Sequence, residues 1–188
     1  MNNEKSQIID KENLFQVLDR NVVWIENCDT KTSIILGGIG VILGIVLASD
    51  YVSKIATIFQ NMIDNMGFWP GLYIILSIVS MCGIVVGVLF LLQVLVAKTD
   101  THELSDKGIS GNSLIFFSSI AKQKSVQDYK AKLMDCSEND WIDEIISQIY
   151  ICSLICDKKF RNYKIGLILS VSGFALFAAM MIIGVLAL

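Results

Sequence analysis

The chain has 188 residues, of which 54% are hydrophobic and 18% charged, and its formal net charge at pH 7 is −3. A near-neutral chain without a basic patch argues against binding to a nucleic-acid polymer. So high an apolar share also leaves too little polar sequence for a large globular domain outside a membrane.

Three stretches contain no Asp, Glu, Lys, Arg or His, at 33–49, 71–97 and 165–188. A helix of about 20 mostly apolar residues crosses a hydrocarbon layer of about 30 Å. The first stretch reaches that length when its interfacial flank is included. We therefore predict an all-α membrane protein with three transmembrane helices, at 33–52, 71–97 and 165–188.

The positions of Lys and Arg predict the orientation of these spans. Four precede the first span, one lies between the first two, and ten lie between the second and third. Because positive residues remain on the cytoplasmic side, the N-terminus is expected inside and the C-terminus outside. The remaining segments are then an N-terminal cytoplasmic helix at 1–32, an outer interfacial loop and helix at 53–70, and a cytoplasmic helical region at 98–164.

The helix that contains the first span is expected to begin well inside the cytoplasm. Leu14, Leu18, Val22 and Ile25 recur at helical spacing, and no Pro or Gly interrupts the chain before Gly37. This pattern predicts one helix that leaves the cytoplasm and continues into the membrane.

The third span shows the same arrangement. Ser137 and Asp140 have the spacing of a capping box, and helical periodicity continues from there into the last apolar stretch. We predict one helix from about Asn139 to near the C-terminus. Extensions of the spans thus form a cytoplasmic helical bundle.

A shorter amphipathic helix is predicted between these two long helices, around 125–134. Its apolar side would carry Val126, Tyr129, Leu133 and Met134.

The sequence contains no recognisable catalytic or metal-binding motif. No phosphate loop, nucleophile elbow or paired carboxylates occur, and His102 has no second ligand at metal spacing. Cys152 and Cys156 lie one helical turn apart, and we interpret them as inert thiols. We expect no enzymatic activity, no metal and no cofactor.

Two Gly-x-x-x-Gly patterns lie in the spans, Gly40 with Gly44 and Gly83 with Gly87. Such spacing allows close contact between helices. It is compatible with packing within the chain or with a self-association surface.

Two cytoplasmic clusters have both a structural and a functional interpretation. In the segment 24–32, Asp29 would pair with a basic residue of a neighbouring helix. The second segment, 148–164, carries Lys158, Lys159 and Arg161, which would form a collar against anionic headgroups. The alternative is that these clusters bind a ligand.

The order of several short motifs resembles a known family. The first is an N-terminal helix with Trp24 and then Asp29-Thr30-Lys31, which is followed by two spans. The second is the element Phe116-Phe117-Ser118-Ser119-Ile120, with Tyr129 after it. The last motifs, before the third span, are Gln148-Ile149-Tyr150, Lys159-Phe160 and Tyr163-Lys164. In this order and topology they are similar to the transmembrane effectors of bacterial Pycsar antiphage systems. Ser118 departs from the pattern, since Gly is expected there.

The resemblance implies a function. In such systems a companion cyclase makes a cyclic pyrimidine mononucleotide, cCMP or cUMP, on phage infection. The effector binds it and impairs the inner membrane, which causes abortive infection. The resemblance implies a multi-pass protein of the bacterial inner membrane that acts as a homo-oligomer.

A cyclic nucleotide requires a cation for its phosphate, a flat side chain for stacking and amides for the base edge. The segments of the resemblance offer these chemistries. The candidate ligand-binding residues are Arg20, Trp24, Asn27, Asp29, Lys31, Phe116, Phe117, Gln148, Tyr150, Lys159 and Arg161.

Other functions are compatible with the same sequence. The chain could be a membrane scaffold or subunit that binds a protein partner, or a related defence effector gated by a cyclic oligonucleotide. A toxin that requires no ligand is a third possibility.

Overall fold

A computed structural model describes residues 10–48, 50–65, 67–96 and 113–187. All regular structure in these ranges is α-helical, and three of the helices are long and apolar enough to cross a membrane. The predicted all-α fold with three spans is confirmed. The helices are α1 (Lys11–Ala48), α2 (Tyr51–Asp64), α3 (Phe68–Leu95), α4 (Phe117–Ala121), α5 (Val126–Asp135) and α6 (Glu138–Ala187).

The predicted continuity of α1 and α6 is confirmed, because neither helix breaks near Lys31 or Lys164. The start of α6 is the predicted capping box. The Ser137 hydroxyl accepts a hydrogen bond from the Asp140 backbone N–H (3.2 Å), and the Asp140 carboxylate accepts from the Ser137 backbone N–H (3.1 Å). This reciprocal pair satisfies two backbone donors that a helix start leaves open.

The chain divides into two compact units. The polar unit comprises Met1–Asn27 and Ala97–Lys158, and the membrane unit comprises Cys28–Val96 and Lys159–Leu188. The 98–112 part of the predicted cytoplasmic region, with His102, lies outside the described residues, as do residues 1–9.

In the membrane unit, α2, α3 and α6 share a small core. Ile58, Tyr73 and Met180 are buried together, and the Tyr73 hydroxyl donates a hydrogen bond to the Met180 carbonyl (2.9 Å). Large apolar side chains elsewhere on the spans are exposed, for example Ile34 at 70% and Ile182 at 62%. Extended apolar exposure of this kind is typical of helices whose solvent is lipid.

The predicted apolar face of the short helix, α5, is partly wrong. Tyr129 and Leu133 are half-buried, whereas Val126 and Met134 are 78% and 76% exposed. The reason is that the Tyr129 hydroxyl donates to the Leu114 carbonyl (2.9 Å), which turns the Tyr129 edge of α5 toward the preceding turn. The helix also begins at a side-chain cap, since Ser125 accepts from the Asp128 N–H (3.1 Å).

Candidate functional site

The turn at 113–116, in the polar unit, is organised by one buried serine. The Ser113 hydroxyl accepts hydrogen bonds from the backbone N–H groups of Ile115 (3.2 Å) and Phe116 (2.9 Å). It also accepts one from the Gln148 side-chain amide (3.0 Å). Gln148 is 5% exposed, so its amide is directed into the protein and holds the turn against α6. Buried amides of this kind are normally satisfied by such contacts.

Tyr129 binds the same turn through Leu114, as described above. Three motifs that carry the resemblance (Phe116-Phe117, Tyr129 and Gln148) therefore converge on this turn. The rings of Phe116 and Phe117 lie 4.8 Å apart, and Phe117 is 65% exposed. Of this set, Phe117 is the side chain that presents an open aromatic face.

A second contact in the polar unit joins α1 to α6. The Asn21 side-chain amide donates to the Ile149 carbonyl (3.3 Å) and to the Ser153 hydroxyl (2.9 Å). Asn21 is half-buried at this contact, while Val22, a member of the apolar stripe of α1, is 41% exposed. Asn21 is not predictable from the apolar pattern, because an amide does not add to an apolar stripe.

Several candidate residues are exposed near this contact. Trp24 and Tyr150 are each 49% exposed, and Arg20 and Asn27 are also exposed. Arg20, Trp24 and Asn27 are spaced four and three residues apart on α1. This spacing places a guanidinium, an indole and an amide on one face of that helix.

In the membrane unit, Lys159 links three helices. Its ammonium group lies 2.5 Å from an Asp29 carboxylate oxygen of α1 and 2.8 Å from the Val94 carbonyl of α3. The side chains of Lys159 and Asp29 are 13% and 37% exposed. Val94 lies in the last turn of α3, where carbonyl groups lack intrahelical partners and favour a cation.

The structural interpretation of Asp29 as the partner of a neighbouring cation is therefore confirmed. The carbonyl of Val94 was not foreseen, since a backbone acceptor has no signature in the sequence. Lys31 and Arg161, two further candidates in this unit, are exposed.

The cysteines of α6 are poorly suited to metal or nucleophilic chemistry. Burial, followed by the neighbouring Cys156 thiol, raises the pKa of Cys152, and burial, followed by Asp157, raises the pKa of Cys156. A raised pKa keeps a thiol protonated and unreactive near neutral pH. In the part of the chain that the structure describes, no three His, Cys, Asp or Glu residues are grouped closely enough to hold a metal ion.

Comparisons with known proteins agree with the resemblance. The profile of the Pycsar effector protein domain matches residues 13–186. The chain is also 28% identical, over 172 residues and 87% of each chain, to the Pycsar effector protein GmPycTM of Gulbenkiania mobilis. No solved structure is significantly similar. A match that runs from α1 to the end of α6 shows that this membrane protein belongs to the Pycsar effector domain family.

Proposed function

We propose that the protein binds a cyclic pyrimidine mononucleotide, cCMP or cUMP, and then impairs the bacterial inner membrane, which causes abortive infection. The observation that carries this proposal is the family match over residues 13–186, which includes both units and all three spans. It leaves no sizeable part of the described chain to be explained by another activity. The N-terminus is proposed to be cytoplasmic, because Lys and Arg are concentrated there and between the second and third spans.

The proposed binding surface is the exposed face of α1 that carries Arg20, Trp24 and Asn27. Arg20 would bind the phosphate, Trp24 would stack on the pyrimidine, and Asn27 would contact the base edge. Phe117 and Tyr150 are further exposed rings of the polar unit. Gln148, Lys159 and Asp29 already bind groups of the protein, so we assign them to the framework in this proposal.

The continuity of α1 supports a way to transmit the signal. Residues 20–27 and the first span belong to one uninterrupted helix, Lys11–Ala48. A ligand that favours one packing of α1 over another would therefore act on a helix that enters the bilayer. Further copies of the chain are proposed to assemble around the activated state.

The proposal is tested by inducible expression in a bacterium with a potential-sensitive dye. Added cCMP or cUMP should depolarise the membrane, whereas expression alone should not. Depolarisation without nucleotide would indicate a ligand-independent toxin. A response only to a cyclic oligonucleotide would indicate a different signal, and no response to any of these ligands would favour a scaffold.

The binding surface has a separate test. Arg20→Ala should abolish binding of the active nucleotide to the purified protein, measured by calorimetry, and also the depolarisation. Lys130→Ala, which removes an exposed cation of α5, is the matched control and should bind normally. Normal binding by Arg20→Ala would remove this face of α1 from consideration.

A further inference from the structure

The contact between α3 and α6 in the membrane unit is made of small residues. A β-carbon on Gly87 would lie 2.6 Å from the Ser170 nitrogen and 2.9 Å from the Gly166 carbonyl oxygen. One on Gly173 would lie 3.0 Å from the Ser80 carbonyl oxygen. Because any side chain at these positions would collide with backbone, the two helices meet at close range.

Polar side chains are concentrated on this same contact. The predicted spans 71–97 and 165–188 contain four serines, and three of them, Ser77, Ser80 and Ser170, are at most 1% exposed. The fourth, Ser172, is exposed and donates its hydroxyl to the Ile168 carbonyl (2.7 Å). The α3–α6 seam, defined here as Ser77, Ser80, Gly87, Ser170 and Gly173, is therefore more polar than the rest of these two spans.

Two hydroxyls of the seam are unsatisfied. Ser77 and Ser170 are 0% and 1% exposed, and neither side-chain oxygen has a hydrogen-bond partner among the described residues. A polar group buried in hydrocarbon without a partner is unfavourable, and such groups are rare in folded proteins. Water admitted between the helices would satisfy both hydroxyls.

An apolar stretch follows the seam along α3. From Ser77 to Gly87 the seam extends over about 10 residues of α3, or about 15 Å at about 1.5 Å per residue. Beyond Gly87, Leu91 and Val94 are fully buried, and the Lys159 ammonium binds the Val94 carbonyl. An apolar constriction next to a polar path is the arrangement by which dewetting closes channels.

We infer that the α3–α6 seam lines a water-filled path for small ions when the two helices separate, and that Leu91 and Val94 close this path in the present structure. The inference rests on the proposed membrane-impairing function and deepens it. General disruption of the bilayer would require no such polar face. In the closed contact the Ser170 hydroxyl is kept out of lipid by the neighbouring helix. When the helices separate, water along the path satisfies this hydroxyl.

The test compares two serines that are two residues apart on α6. Ser170→Cys and Ser172→Cys are each produced in the full chain and reconstituted in vesicles that carry a K⁺ gradient and a potential-sensitive dye. A charged, water-soluble methanethiosulfonate is then added with and without cCMP or cUMP. Ser170→Cys should lose its free thiol only with nucleotide, and ion leakage, measured by the dye, should fall as it reacts. Ser172→Cys should behave like the parent chain, which controls for the native cysteines.

The possible results separate the two proposals. A parent chain that never leaks with nucleotide overturns the membrane-impairing function itself. Leakage with an unreactive Ser170→Cys, or equal reaction of Ser172→Cys, overturns the seam and favours general disruption. Should Ser170→Cys fail to accumulate, Ser77→Cys is labelled in the same way. Independently, Leu91→Ser should leak without nucleotide, and a tight Leu91→Ser protein would contradict the assigned constriction.

Discussion

The polar unit and the membrane unit are each stabilised internally by a different kind of interaction. In the polar unit, long side chains reach across to backbone and hydroxyl groups, as Gln148 does to Ser113 and Tyr129 does to Leu114. In the membrane unit, α3 and α6 approach through glycine and serine, and Lys159 supplies one charged link.

The difference follows from the solvent of each unit. Helices in lipid gain little from burying apolar side chains, because lipid tails are equally apolar, so close backbone packing has to stabilise the contact. In water, apolar burial supplies the stability and hydrogen bonds fix the arrangement. Small increases in side-chain volume should therefore destabilise the membrane unit most. In the polar unit, the loss of a single hydrogen bond should be the most destabilising kind of change.

The largest effect is expected at Gly87. Gly87→Ala places a methyl group against the backbone of Ser170 and Gly166, and overpacking of this kind typically costs about 1–3 kcal/mol. Gly40→Ala is the matched control, because within the described ranges no other part of the chain lies within 4 Å of a β-carbon there. Unfolding in mixed detergent with SDS, followed by circular dichroism, should show a loss for Gly87→Ala and no loss for Gly40→Ala. Equal stability of the two variants would contradict close packing of α3 on α6.

Gly87 and Gly40 also show what sequence can predict. Both lie in Gly-x-x-x-Gly patterns, and Gly83 and Gly87 face α6. A β-carbon on Gly40 or Gly44, by contrast, would meet no other described part of the chain within 4 Å. The spacing identifies a surface suited to close contact and does not identify its partner.

Features that depend on local sequence were predicted well. The three spans, the continuity of α1 and α6, and the capping box of Ser137 and Asp140 each follow from neighbouring residues. Features that depend on distant partners were missed. Asn21, Ser113 and the Val94 carbonyl acquire their roles only when another part of the chain reaches them.

A smaller effect is expected at the charged link of the membrane unit. Asp29→Asn leaves the Lys159 ammonium with the Val94 carbonyl and a neutral amide. Because Asp29 is 37% exposed, solvent screens part of the loss, which we place at about 1–2 kcal/mol. Lys31→Met removes an exposed cation two residues away and should leave stability unchanged. The same SDS titration measures both variants, and a harmless Asp29→Asn would mean that the link contributes nothing measurable.

In the polar unit, a loss of about 1 kcal/mol is expected when Tyr129→Phe removes the hydrogen bond to the Leu114 carbonyl. The effect should be local, so amide hydrogen exchange of the peptide 113–121 should accelerate, while the spans keep their protection. Tyr150→Phe is the matched control, since it removes the hydroxyl of a half-exposed tyrosine of α6. Identical exchange in the two variants would show that the Tyr129 hydroxyl does not hold the turn.

The smallest effect concerns pH at the start of α6. Hydrogen bonds from the Ser137 hydroxyl and backbone N–H lower the pKa of Asp140. A carboxyl whose pKa is lower in the folded state stabilises that state above its unfolded pKa of about 3.9, and this contribution is lost as pH falls through the folded pKa. Asp140→Asn should therefore speed exchange of the first α6 amides at pH 6, and the difference from the parent should shrink toward pH 3. The control is Ser147→Ala, which removes a hydroxyl that donates to the Asp143 carbonyl and not to a carboxylate. This variant should keep the parent's pH dependence. A difference between Asp140→Asn and the parent that is constant from pH 3 to pH 6 would mean that the charge of Asp140 does not contribute to the cap.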